Sequence, residues 1–270
     1  VVVRLAAAAL SVALGGRRVL HGVSVAVAGG ELVGIVGPNG AGKSTLARAL
    51  AGLLVGEGTV RLDDADLATL PPAARARAIA YLPQGATLGW PLSVERLVGL
   101  GRLPHLAPFS RIGDADRAAI DDAMARADVL HLRDRVATEL SGGERARALL
   151  ARALAVEAPV LIADEPLAAL DPGHALATMD LLVAAARRGV AVVAIMHELT
   201  LAARFCDRLV LLDKGRVVAD GPPTAVLDTA NLRAVYGIEA WLGDAGGERL
   251  IVPLRRSPID ATERDARSQP

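Results

Sequence analysis

An α/β fold with a largely parallel sheet is what this sequence predicts, on three observations. "VLIAD" (160–164), "VAVVAIM" (190–196) and "RLVLLD" (208–213) are short, continuous apolar runs, the pattern of strands covered on both faces. The residues between them repeat with a helical period, so strand and helix alternate, which implies crossover connections and parallel neighbours. "VSVAVAGGELVGIV" (23–36) alternates at Val23, Val25 and Val27, turns at Gly29 and Gly30, then resumes as a buried run, giving two further strands.

The remaining elements follow in chain order. "VVVRLAAAAL" alternates like a strand from the start. Arg4 is too thin a charged region for a secretion signal. The uncharged run Leu5–Gly16 is shorter than the ~20 residues a membrane span needs. "KSTLARALAGLL" (43–54) carries leucines at 46, 50, 53 and 54, a helical spacing, and "TVRL" (59–62) is a short strand. From about 86 to 155 the pattern is mainly helical, with breaks expected at Pro91, Pro104 and Gly142-Gly143. After about Arg255 the tail "RRSPIDATERDARSQP" is polar and is expected to be disordered. No internal repeat is found.

Thirty basic and 30 acidic residues balance, which argues against a nucleic-acid binder or a polybasic membrane anchor. The single cysteine, Cys206, allows no internal disulfide and fits a reducing compartment. Histidines 21, 105, 131, 174 and 197 are scattered without metal-ligand spacing. Lysine occurs only at 43 and 214, and glutamine only at 84 and 269, in a chain biased to Arg and Ala. Positions where a rare type persists raise a chemical question, because Lys and Arg are not interchangeable.

Lys43 lies in "GPNGAGKST" (37–45), which follows a buried strand and opens a helix, the setting a phosphate-binding loop requires. Gly37, Gly40 and Gly42 let the backbone N–H groups of Pro38–Thr45 wrap phosphates, Pro38 itself lacking one; Asn39, Ala41 and Thr45 complete the loop. Lys43 would reach the terminal phosphates and the Ser44 hydroxyl would ligate magnesium. "VLIADEP" (160–166) ends a strand in two carboxylates: Asp164 would hold Mg2+ through water, and Glu165 would polarise an attacking water. His197 ends a strand of the same expected sheet, whose C-terminal edge faces ligands, which places it near the γ-phosphate, where it would donate a hydrogen bond.

"LSGGE" (140–144), with Arg147 after it, resembles the signature of ATP-binding cassette ATPases. With "GPNGAGKST", "YLPQ" (81–84), "IADEP", "AALD" (168–171) and His197 it extends the resemblance over roughly residues 1–240 in family order. The resemblance implies a P-loop NTPase core, an N-terminal antiparallel β subdomain and an inserted helical subdomain at about 86–155. It divides the chain into an ATPase domain (1–243) and a C-terminal extension (244–270). It also implies a head-to-tail homodimer sandwiching two ATPs, each between one phosphate loop and the other protomer's Ser141, Gly142, Gly143 and Glu144. Ser141 and the two glycines precede a helix and form a second anion site at its N-terminus. By position, Glu165 matches the catalytic glutamate. Gln84 matches the glutamine that senses magnesium and the attacking water, and Asp171 the aspartate that communicates across the dimer.

Departures from the family pattern are also legible. Ala146 and Ala163 replace commoner types without removing a needed group. No aromatic precedes Tyr81, so Leu14, Arg17 or Arg18 must replace the aromatic platform on which the family stacks adenine.

"GWPLSVERLVGLGRLPH" (89–105) falls at the entrance to the helical subdomain. An apolar patch of Trp90, Pro91, Leu92 and Val94 suits a partner groove, and His105 reads as a local structural residue. The segment resembles that of ATPases serving importers of iron–siderophore complexes, haem and cobalamin, as does 235–254. That resemblance implies an ATPase on the cytoplasmic face of the membrane, docked to permease subunits through 89–105 and served indirectly by an extracytoplasmic solute-binding protein, with no nucleic-acid partner. The alternatives are the ATPase of another transporter, for metal ions or export, or a non-transport cassette ATPase. The latter carry paired cassettes, coiled coils or zinc insertions, none of which is present here.

Overall fold

The computed structural model describes residues 3–85, 88–107, 110–168 and 170–257. The expected disordered tail lies mostly outside them. Its first residues do not: strand β12 runs to Arg256, and the Ser257 N–H donates to Gly237 O at 2.8 Å.

Strands β1 (Val3–Leu14), β2 (Arg17–Ala28), β4 (Glu57–Leu62) and β5 (Ala65–Asp66) form an antiparallel sheet ordered β2-β1-β4-β5. This is the expected N-terminal β subdomain. Between them run β3 (Leu32–Val36) and helix α1 (Lys43–Leu50). Helix α2 (Pro72–Ala78) leads into β6 (Ile79–Leu82). The helical region then holds α3 (Val94–Gly99), α4 (Asp114–Arg126) and α5 (Gly142–Leu154). Strand β7 (Val160–Asp164), helix α6 (Pro172–Arg187), β8 (Ala191–Ile195), helix α7 (Leu199–Phe205), β9 (Arg208–Asp213) and β10 (Arg216–Gly221) complete the core.

The central sheet has six strands in the order β10-β9-β3-β8-β7-β6, parallel except for the β9–β10 pair. Its inner strands are covered on both sides. Val33, Ile35, Val160, Ile162, Val193 and Val210 face the core shared with α1 and the β subdomain. Leu32, Val36, Leu161, Ala163, Val192 and Leu209 face the core shared with the helical region, α6 and α7. Each strand thus alternates between two apolar layers, which is why its sequence shows no polar alternation.

Three expectations need correction. Gly142 and Gly143 do not break a helix or precede one; they are the first two residues of α5. Val94 is not part of an exposed patch. It is 0% exposed, because Ser93 caps α3 by accepting from the Arg96 N–H. Val94, Leu97 and Val98 then form the inward i, i+3, i+4 stripe. The extension does not begin at 244. A hairpin of β11 (Ile238–Ala245) and β12 (Glu248–Arg256) straddles that point. The chain is redirected into it at Gly237, whose φ of 64° is left-handed.

Arg102 knits the helical region to the core. It is 6% exposed and donates to Asp116 at 3.0 Å, to Ala155 O at 2.8 Å and to Glu157 at 2.6 Å. His105 Nε2 lies 2.8 Å from Val156 O, the local structural contact expected of it. No helix among the described residues is long and apolar enough to cross a membrane.

Candidate nucleotide site

The phosphate loop leaves β3 at its C-terminal end and returns as α1. Gly37 is obligatory there: its φ is +151°, and a Cβ would lie 2.0 Å from Leu212 O of β9. Gly42, at φ 99° just before α1, would bring a Cβ within 2.8 Å of Leu20 Cδ2. The loop is held internally by Ala41 N–H donating to Pro38 O at 3.2 Å, and Ala41 O accepts from Gly215 N–H at 2.9 Å.

A cavity of about 220 Å³ opens over the loop, lined by Asn39, Gly40, Gly42, Lys43, Ser44 and Thr45 with Val19, Glu165 and His197. Lys43 is 5% exposed. Its ammonium donates to Gly37 O at 2.8 Å and Pro38 O at 3.0 Å. Burial lowers its pKa, an effect opposed by the charges of Glu165 and Asp164.

Asp164, at the end of β7, is 1% exposed. It accepts from Ser44 Oγ at 3.0 Å and from the Tyr81 hydroxyl at 3.0 Å. Burial, then the Asp164 charge, pushes the Tyr81 phenol pKa up, so Tyr81 stays a neutral donor. A hydroxyl and a carboxylate this close form a hard-oxygen donor pair that suits Mg2+, which takes few protein ligands and fills its octahedron with water and phosphate oxygens. Gln84 belongs to a different group in this structure. Its Nε2 donates to Glu165 Oε2 at 2.6 Å, while His197 Nε2 meets Glu165 Oε1 at 2.6 Å. Glu165 therefore has both oxygens engaged. It sits at φ 53°, left-handed for a residue with a Cβ, a strained backbone of the kind that clusters at functional sites.

The signature lies elsewhere. Ser141 and Glu144 form a reciprocal capping box: Ser141 Oγ accepts from Glu144 N–H at 3.3 Å, and Glu144 Oε2 accepts from Ser141 N–H at 2.9 Å. These bonds hold the Glu144 carboxyl below the usual carboxylate range. The N–H groups of Gly142 and Gly143, in the first turn of α5, have no intrahelical partner. Gly143 packs on His174: a Cβ there would stand 3.0 Å from its Nδ1. Asp171 caps α6 by accepting from His174 N–H at 3.0 Å and also pairs with the His174 ring. The His174 N–H, and then its ring, hold the Asp171 carboxyl below its ordinary value. None of residues 141–144 lines the cavity over the phosphate loop. A second cavity of about 280 Å³ runs between Pro83, Gly85, Gly142, Arg145, Asp164 and Glu165, so Glu165 faces both.

Sequence reading missed three contributors. Tyr81 opens the stretch "YLPQ", but its bond to Asp164 joins residues 83 positions apart, and His174 lies outside the motifs and meets Gly143 from α6. Val19 lines the cavity from β2, where an aliphatic residue sends no chemical signal.

A parallel-sheet core, a phosphate loop on its C-terminal edge and a caged carboxylate facing that loop define a nucleoside triphosphatase. The chain matches the family described as ABC transporter over residues 20–168, and it belongs to that family. It is an ATPase of the cassette type. The hemin import ATP-binding protein HmuV of Nocardia farcinica is 48% identical over 242 residues, 88% of this chain and 83% of that protein. The cobalamin import ATP-binding protein BtuD of Halobacterium salinarum is 45% identical over 249 residues, 91% of this chain and 62% of that protein. Among solved structures, a dimeric ATP-binding cassette in a post-hydrolysis state, bound to ADP and Pi, superposes with a TM-score of 0.71 at 27% identity. That alignment covers 81% of this chain and 98% of the other.

Proposed function

We propose that this ATPase powers a membrane importer for haem or cobalamin, working as a homodimer docked to permease subunits at the cytoplasmic face of the membrane. An iron–siderophore complex is the third cargo of the same class. The observation that carries the catalytic part is the Gln84–Glu165–His197 group at the mouth of the phosphate-loop cavity. Glu165 takes the proton of the attacking water; Gln84 and His197 orient its two oxygens. Lys43 transfers its ammonium from its own loop carbonyls to the terminal phosphates, and His197 then donates to the γ-phosphate. Ser44 and Asp164 would hold Mg2+, which offsets phosphate charge when bound. Gln84, as a further ligand, would offer its amide oxygen, since only its Nε2 is bonded to Glu165.

Dimerisation is supported by what the cavity lacks. Its walls come from the phosphate loop, Val19, Glu165 and His197, so a second copy can supply Ser141, Gly142, Gly143 and Glu144 to the open side. The free N–H groups at the start of α5 suit a phosphate. Asp171, beside its own signature through His174, links the two sites. The solved cassette dimer and the importer subunits among the relatives favour this assembly.

Permease docking is supported by residues 89–105. Trp90 is 76% exposed and Leu103 59% exposed, a costly display unless a partner covers it. Trp90→Asp is expected to leave the purified protein's ATPase unchanged while import in the native host falls to the level of a null strain. Labelled haem, cobalamin and ferric siderophore, compared in that host, identify the cargo by which uptake is lost. Unchanged uptake of all three with Trp90→Asp would overturn the docking surface.

The base end of the site is open to a direct test. Arg18 is occupied by Glu57 at 3.0 Å. That leaves exposed Leu14 and Arg17, flanking the Gly15-Gly16 turn, as the base platform. Neither reproduces aromatic stacking, so GTP is expected to compete with ATP within about tenfold. Competition binding with both nucleotides checks this; a hundredfold ATP preference would refute it.

A further inference from the structure

His197 sits at a joint in the chain. Just before it, the Met196 N–H donates to Ile35 O of β3 at 3.0 Å, so that side is fixed by the central sheet. Just after it comes α7, only seven residues long, too short to be stable on its own. The far end of α7 is also tied to the sheet: Asp207 N–H donates to Leu32 O at 3.0 Å, and Asp207 Oδ2 accepts from Leu32 N–H at 2.8 Å. The near end, next to His197, has no such tie of its own making. Its N-cap residue, Glu198, forms no side-chain cap bond.

The C-terminal hairpin supplies the missing support. Thr200 lies in the first turn of α7, three residues after His197, and its hydroxyl works in both directions. It donates to Ile251 O of β12 at 2.9 Å and accepts from Ile251 N–H at 3.2 Å. The Ile251 side chain is buried in the core layer shared with α6 and α7, where Leu199, Leu201 and Leu242 also pack. Farther along, Arg204 pairs with Glu248 at 3.1 Å, a partly exposed bridge that contributes little. A two-stranded hairpin is itself marginal in water, so helix and hairpin hold each other in place, chiefly at Thr200 and Ile251.

We propose that Thr200 is a positioning residue for His197: through this hydroxyl the C-terminal hairpin fixes the start of α7, and with it where the imidazole stands against Glu165. The inference rests on the catalytic role given to the Gln84–Glu165–His197 group. His197 Nε2 lies 2.6 Å from Glu165 Oε1, and such a bond weakens steeply once its angle is lost. Small misplacements of a positioned group are costly to turnover. The hairpin lines no part of the cavity over the phosphate loop, so its effect falls on the rate and not on the grip on the α- and β-phosphates.

Thr200→Val keeps the shape and removes the hydroxyl. In the full-length chain, well below the melting temperature, kcat for MgATP is expected to fall about three- to tenfold, the scale of one lost hydrogen bond, with Kd for MgADP unchanged. Thr200→Ser, which keeps the hydroxyl, should restore kcat to within about twofold. In a His197→Ala background, Thr200→Val should cost nothing further, because a residue that acts through another loses its effect when the other is gone. An unchanged kcat, or the same fold-loss in both backgrounds, would overturn the proposal. So would a lower melting temperature at unaltered kcat, which marks a purely structural bond. If Thr200→Val does not fold, Ile251→Val, which trims one methylene from the same contact and keeps both hydroxyl bonds, is put to the same comparisons. His197→Ala at wild-type turnover would remove the catalytic reading beneath; Thr200→Val at wild-type rate beside a slow His197→Ala removes this proposal alone.

Discussion

Glu165→Gln is expected to bind MgATP with near wild-type affinity and to turn it over at least about 100-fold more slowly, the lower end of what a positioned general base contributes. The geometry explains the split. Both carboxylate oxygens face partners at 2.6 Å, Gln84 on one side and His197 on the other. An amide is the same shape, so the cavity keeps its form, but it cannot take a proton from water. One adjustment is required: the new amide turns its oxygen to Gln84 Nε2 and its nitrogen to His197 Nε2, which takes the tautomer that accepts. Equilibrium binding of ATP and single-turnover hydrolysis on the purified variant measure the two quantities separately. Turnover within tenfold of wild type would mean another group takes the proton.

Lys43→Ala is expected to act on the other quantity. A charge-assisted hydrogen bond is worth more than a neutral one, and losing it should weaken MgATP binding about 10- to 100-fold. The fold should not suffer. Burial lowers the pKa of Lys43 below its ordinary value, so the folded chain holds this cation at a cost to stability that applies below its unfolded pKa. Removing the charge removes that cost, against which stands the loss of two bonds to loop carbonyls. Calorimetric binding should therefore drop while nucleotide-free thermal unfolding stays within a few degrees of wild type. A large fall in melting temperature would show that the ammonium holds the loop together.

How much of this was legible depended on whether a residue's signal was local. Strands β7, β8 and β9 were read to within a residue because each is buried on both faces. β10 was not, since its residues are alternately exposed and half-buried in "RVVADG" and carry little apolar signal. The β11–β12 hairpin was visible only as a resemblance, although "DAGGER" holds a Gly-Gly turn of the type that joins strands. Val94 was misread because apolar character alone does not tell which side of a helix a residue faces. Ser93 sets that by starting the helix where it does. At the site, the motif residues of the phosphate loop and the strand ends came together as expected. Tyr81 could not be foreseen: its bond to Asp164 spans 83 positions and exists only because β6 and β7 lie side by side.

Arg102 bears on how force crosses the molecule. It emerges from the 89–105 segment and grips Ala155 O and Glu157, three to five residues before β7 begins at Val160. The far end of β7 is Asp164, with Glu165 next. Five residues of strand span ~16 Å, and a hydrogen-bonded strand between two neighbours is stiff along its length. The guanidinium therefore ties the 89–105 segment to the short loop that leads into β7, the strand that ends at the carboxylates. The surface segment and the carboxylates are thus joined by one guanidinium, a short loop and five residues of strand.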